Sequence, residues 1–164
     1  MASTVAQNYE QVSYSSPNGS MHQSRFQQII SDAVATRQLL AKESGALCLF
    51  DRAAGVVYTL PTPVIGMQFE FMTSVTITSN AAKIITNLAT EFILGDVQII
   101  LDAAATTLAA AANGSTHRAL SSNGTTTGGV IGGRFRVTAI STTQWLIDGF
   151  VNGSGTLATP FATS

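Results

Sequence analysis

From residue 46 onward the apolar positions of the chain recur every second residue. Val56, Tyr58 and Leu60 alternate with Val57 and Thr59, and a period of two puts one set on a buried face. Pro61-Thr62-Pro63 stops that strand, because proline cannot donate to a ladder. Met67, Phe69, Phe71, Val75 and Ile77 then share one face, with Gln68, Glu70, Thr76 and Thr78 on the other. That alternation predicts a long, half-buried antiparallel strand. Further strands are predicted over 82–86 and 91–101, with Gly95 as a bulge or bend in the second. Phe135, Val137 and Ala139 alternate with Arg134, Arg136 and Thr138. Trp145, Ile147 and Val151 alternate with Leu146, Asp148 and Phe150, and Ser141-Thr142-Thr143 turns between the two runs. Residues 155–161 add an edge strand.

Other segments break this rhythm. Ser24 is an N-cap candidate with Gln27 three residues on, and Phe26, Ile29, Ile30 and Val34 sit at helical spacing. They predict a short helix over 24–35, which needs tertiary packing to persist; a strand over 36–40 competes near its end. The alanines of 102–112 favour helix by propensity, while the Thr pair and the position between strands allow a loop or an irregular strand; a short helix or loop is expected. The Thr/Gly-rich stretch 124–133 predicts a long flexible connection. Residues 1–23 are polar and aperiodic, with Tyr9, Val12 and Tyr14 as their few large side chains. They predict an extended N-terminal arm, disordered alone or laid on a partner. About eight or nine short strands separated by turn signals predict a mainly β fold, an antiparallel β-sandwich or jelly-roll-like barrel. The expected organisation is an arm over 1–23 and one β-rich domain over 24–164, its β body spanning 46–161.

Composition changes what the surface can do. Only 10% of the 164 residues are charged, where about 25% is usual. Hydroxyl, amide and backbone groups must supply much of the polar surface. Such a surface suits packing against other protein, since burying a hydroxyl costs less than burying a charge. The net charge is −1, and Arg134 with Arg136 is the only tight basic pair. A nucleic-acid partner is not expected without a basic face. Cys48 is the single cysteine, in the apolar run Leu47-Cys48-Leu49-Phe50, and reads as a small buried hydrophobe. The first ten residues have no basic or apolar signal region. No run approaches the roughly 18 apolar residues of a membrane span. The chain is therefore expected to be made in a cytoplasm, with no membrane partner.

Candidate chemistry is sparse. Asn18, Asn113, Asn123 and Asn152 each open an Asn-Gly-Ser/Thr triplet. These read as tight turns, because Asn and Gly tolerate positive φ. His22 and His117 lie far apart with no acidic or cysteine neighbour at ligand spacing, so no metal is expected. Asp96 and Asp102 flank one strand and could pair as acid and base, although Asp at strand ends is commoner as turn chemistry. The glycines of 128–133 precede a strand and not a helix, which is the wrong context for a phosphate site. No enzyme activity and no cofactor is expected.

One stretch adds a family expectation. Leu49-Phe50-Asp51-Arg52-Ala53-Ala54-Gly55-Val56-Val57-Tyr58-Thr59-Leu60-Pro61, continued by Gly66-Met67-Gln68-Phe69-Glu70-Phe71, resembles a module of phage head proteins. The run Asn123-Gly124-Thr125-Thr126-Thr127-Gly128-Gly129, the Trp145 strand and the closing Gly153-Ser154-Gly155-Thr156-Leu157-Ala158-Thr159-Pro160-Phe161 extend it. Together they resemble the capsid decoration (cement) proteins of tailed bacteriophages, over roughly 46–161. The resemblance implies a homotrimer on the outer capsid surface of the virion, with the major capsid protein as partner. Such a protein stabilises the shell by bridging major capsid subunits. On that expectation Tyr9, Val12 and Tyr14 of the arm contact the capsid or a neighbouring subunit. The alternative is a receptor- or glycan-binding module of a head or tail fibre, using loops within 113–133. A third reading, a polysaccharide depolymerase, needs acidic residues facing each other across a groove.

Overall fold

Two mixed β-sheets enclose one apolar core. The computed structural model describes residues 14–15, 21–22, 26–32, 34–101 and 106–164. Its strands are β1 (Tyr14–Ser15), β2 (Met21–His22), β3 (Ile29–Ile30), β4 (Thr36–Gln38), β5 (Leu47–Phe50), β6 (Val57–Thr59) and β7 (Gln68–Thr73). They continue with β8 (Ala82–Ile85), β9 (Phe92–Leu101), β10 (Thr107–Asn113), β11 (Ala119–Ser122), β12 (Val130–Ala139), β13 (Gln144–Gly153) and β14 (Phe161–Ala162). The larger sheet runs β10-β9-β13-β12-β7-β5-β3 and the smaller β14-β11-β8-β6-β4, while β1 and β2 pair with each other. The mainly β, sandwich-like class expected from the alternation is what the fold shows.

The sheets are mixed where an antiparallel pattern was expected. From β3 to β9 each strand lies in the opposite sheet from the one before it. The chain therefore winds around the core, and up to β8 every circuit lays a new strand beside the last in the same direction; β9 instead is separated from β7 by β12 and β13. Ile29 pairs with Leu47 and Leu47 with Glu70, both in parallel; Thr36 pairs with Val57 and Val57 with Lys83 in the same way. The second half is different in part. β12 and β13 form the expected antiparallel hairpin, and β13 then runs parallel to β9 along ten residues.

Side-chain alternation decides which face is buried. Phe69 and Phe71 of β7, Phe135 and Val137 of β12, and Trp145 and Ile147 of β13 all point into the core. Tyr58, Ile84 and Leu120 answer them from the smaller sheet. The Phe71 and Phe135 rings stack with centroids 5.2 Å apart, and Phe50 lies 5.9 Å from Phe71. Tyr58 crosses from the other sheet to within 5.5 Å of Phe50 and 5.7 Å of Phe71. Its hydroxyl donates to Leu49 O at 2.9 Å, so the one polar atom of the ring is satisfied.

Several local expectations are corrected. The helix over 24–35 is absent from the described residues of that span, which hold the parallel strand β3. Its stripe finds nothing to bury against, for Phe26 is 86% exposed and Ile29 51% exposed. A helix that short cannot stand unpacked, whereas Ile30 alone tucks in beside Cys48. The competing strand over 36–40 appears as β4. Residues 107–113 form β10, because pairing with β9 overrides the helix preference of alanine. The long strand from Met67 ends at Thr73: Ser74 N and Val75 N both donate to Phe50 O, which bends the chain and leaves Val75 exposed. The stretch 124–133 is compact, with a Thr125–Gly128 bridge and β12 starting at Val130.

Gly95 sits inside a continuous ladder, paired with both Ala112 and Ile147. Its φ is +115°, and a Cβ there would lie 2.2 Å from Ile147 O. Backbone on the neighbouring strand cannot yield as a side-chain tip can. Gly45 also has a positive φ, of +93°, but nothing lies within 4 Å of its Cβ position. Gly45→Ala is expected to cost about 1–2 kcal/mol from strain alone. Gly95→Ala is expected to cost at least about 3 kcal/mol, strain plus overpacking. Urea denaturation of the two variants checks the order.

Candidate functional site

The features that suggested chemistry are dispersed. Asp96 is exposed at the middle of β9, and its register neighbour on β13 is Asp148; Asp102 lies outside the described residues. Asp148 in turn faces Arg136, 3.4 Å away, and Glu70 pairs with Arg134 at 2.8 Å. These charges lie on an open sheet face and not in a cleft. The hydrogen bond from Arg134, helped by one from Gln27, holds the Glu70 carboxyl below the ordinary range. His117 accepts from Asn113 N through Nδ1 at 3.1 Å and stacks on Phe161. Among the described residues no group of three or more His, Cys, Asp or Glu is placed to hold a metal ion, and no helix is long and apolar enough to cross a membrane.

The triplets divide by setting. Asn113 Oδ1 accepts from the backbone N–H groups of Ser115 and Thr116, and Asn123 Oδ1 from those of Thr125 and Thr127. Both are closed turns of the expected kind, with Gly114 and Gly124 at positive φ. Asn152 differs. It lies within β13 and donates from Nδ2 to Ile131 O at 2.9 Å. Asn18 is outside the described residues, as are Tyr9 and Val12. Tyr14 is on β1, whose backbone pairs with β2.

A coherent surface does exist at one end of the sandwich, where three loops meet. Asn87 Nδ2 donates to Thr62 Oγ1 at 3.1 Å, Gly66 N to Ala139 O at 2.9 Å, and Phe92 N to Thr143 O at 2.9 Å. These bonds draw loops 61–66, 86–91 and 140–143 together. Each loop is built to present an apolar side chain. Pro61 and Pro63 are buried anchors, and between them and β7 Ile65 stands 69% exposed and Val64 59% exposed. In the second loop the carboxylate of buried Glu91 accepts from Asn87 N at 3.0 Å and Leu88 N at 3.1 Å, which turns Leu88 outward. In the third, Ile140 N donates to Gln144 O and closes the hairpin, leaving Ile140 exposed. The three loops carry no charged side chain except Glu91, which is buried. Four exposed aliphatics on braced, uncharged loops form the kind of patch that marks contact with other protein.

A second feature is an open trough of about 770 Å³ on the outer face of the smaller sheet. Val57, Lys83, Ile85, Ser121 and Asn123 line it, together with Asn80. Its amides, hydroxyl and ammonium can hydrogen-bond a polar ligand, but no aromatic ring is present for a sugar to stack on. No family model matches this chain, and no curated protein matches its sequence.

Cys48 is fully buried on β5. Burial, with Glu43 nearby, pushes its thiol up from 9.0 to about 12, so it cannot act as a nucleophile at neutral pH. Burial likewise raises the Tyr58 phenol. At Arg37 burial opposes the charge, but hydrogen bonds to Glu43 and Asp32 outweigh it and the pKa is raised. A thiol raised in the folded state keeps its proton there while the unfolded chain loses it. The associated stability is complete below pH 9.0 and is lost as pH rises toward about 12. Wild-type protein should therefore lose stability relative to Cys48→Ala across that window, by about 1 kcal/mol per pH unit. Urea denaturation at several alkaline pH values measures it, and parallel curves for the two proteins would disprove the assignment.

Proposed function

We propose that this chain is a structural virion protein that binds the outside of a phage capsid and bridges its major capsid subunits. The observation that carries the reading is the apolar patch that Val64, Ile65, Leu88 and Ile140 present on three braced loops. An apolar surface on loops braced by hydrogen bonds loses little conformational entropy on docking. A charge fraction of 10% across the chain lowers the desolvation cost of such packing. The sequence resemblance supplies the phage context and the trimer, and several copies gripping one shell would hold it by avidity. In this reading the loop end lies against the capsid, and the arm with Tyr9, Val12 and Tyr14 reaches a neighbouring subunit. Glycan binding, as by a fibre module, draws on the trough beside Lys83 and Asn123, which lacks a stacking platform.

Two outcomes test it by co-sedimentation with purified shells. Ile65→Asp should weaken attachment by about 2 kcal/mol or more, some thirtyfold, with the thermal midpoint unchanged because the side chain is exposed. Deleting residues 1–20 should weaken attachment while the body stays folded. Wild-type protein that fails to sediment with any shell, yet is retained on a glycan array, would replace this reading with the fibre module.

A further inference from the structure

Both sheets have two edges, and three of the four are guarded. β3 and β14 are two residues long, β14 follows directly on Pro160, and β4 is three residues long and carries Arg37. Short edges, proline and charge are the usual means of blocking strand addition. β10 has none of them. It runs seven residues, Thr107-Leu108-Ala109-Ala110-Ala111-Ala112-Asn113, without a charge, a proline or a register shift.

The register shows which backbone groups on β10 are open. Leu101 N donates to Thr106 O at 3.0 Å, and Gly114 N donates to Ile93 O at 2.9 Å. With Thr107 opposite Ile100, the hydrogen-bonded pairs with β9 fall on even-numbered residues. Antiparallel ladders alternate, so the N–H and C=O groups of Thr107, Ala109, Ala111 and Asn113 point away from β9. Asn113 N is taken by His117 Nδ1. Among the described residues no partner meets the outward groups of Thr107, Ala109 and Ala111, and all three side chains are exposed.

We propose that β10 is a self-pairing edge, whose occupant is β10 of a second copy joined antiparallel about a two-fold axis at Ala109. That centre sets Ala109 against its own copy and Thr107 against Ala111 in both directions. All three are hydrogen-bonded pairs, which exchange about six backbone bonds in total. The small side chains let the strands close to ladder spacing. Charge does not oppose it. Asp96 of β9 sits beside Ala111, so across the axis its row leads through Thr107 to Ile100 of the second copy. The two β9 strands stand three ladder spacings apart, about 14 Å, beyond the screening length of about 8 Å. Other chains' strands meet the same open groups but not this self-matched register. Three residue pairs bury less than the roughly 1,200 Å² of a stable complex, so the contact is weak alone and forms where copies are concentrated.

Sedimentation equilibrium of the full chain up to about 1 mM should show the dilute species, whatever its subunit number, doubling in mass. Ala109→Lys and Ala109→Glu should each abolish the doubling, since like charges then face each other across the axis. An equimolar mixture of the two should restore it. In the wild-type chain the amides of Thr107, Ala109 and Ala111 should exchange rapidly when dilute and at least about tenfold more slowly when concentrated. A mass that never doubles, a mixture that does not recover, or exchange independent of concentration would each overturn the proposal. None of these readouts involves shells, so it stands or falls apart from the capsid reading.

Discussion

The fold depends on a small group of rings that spans the two sheets. Strands of two to four residues hold few ladder bonds, and β3 to β6 are all of this length. What fixes them is Phe50, Phe71 and Phe135 from one sheet closing on Tyr58 from the other. Burying one such ring stabilises by about 2–3 kcal/mol, against about 1 kcal/mol net for a backbone bond. The Tyr58 hydroxyl also ties β6 of one sheet to a carbonyl of β5 in the other. Remove that cluster and the short strands have no reason to stay flat against the core.

The distribution of charge follows from the same economy of size. The chain has few ionic groups, and several are committed to local bracing. Glu43 accepts from both Arg37 and Leu40 N, and Glu91 holds the 86–91 loop. Glu70 and Arg134 sit on an outer sheet face, where an ion pair is worth little on its own. Loops 61–66, 86–91 and 140–143 keep Glu91 as their one ionic side chain, and it is buried.

Much of the body was legible because its strands are two-faced. Phe69 and Phe71, Phe135 to Ala139, and Trp145 with Ile147 reveal their buried face by alternation alone. Strand direction was not legible, since parallel pairing joins residues such as Ile29 and Leu47 whose relation no local pattern encodes. The spacing of Phe26, Ile29, Ile30 and Val34 suits a helix, but only the folded body shows that no surface covers it. The alanines of β10 were misleading in the opposite sense, because a neighbouring strand decides their state. Asn123-Gly124 did signal a turn, and its Oδ1 bonds are what make 124–133 compact. The loop end drew on residues scattered from Val64 to Ile140, so only Pro61-Thr62-Pro63 hinted at it. Tyr9 and Val12 lie outside the described residues.

The winding of the first half has a mechanical side. Each circuit from β3 to β8 adds one strand per sheet and touches the circuit before it. A pull through the N-terminus therefore loads the two-residue β1–β2 pair, then β3 and β4, and reaches the ten-residue β9–β13 ladder only after β8. The molecule would yield from that side by unwinding in discrete turns, like a bandage lifted from its free end. The half bearing β12 and β13 would keep its shape while extended chain was released. An anchored N-terminus would thus make this protein a compliant link and not a brittle one.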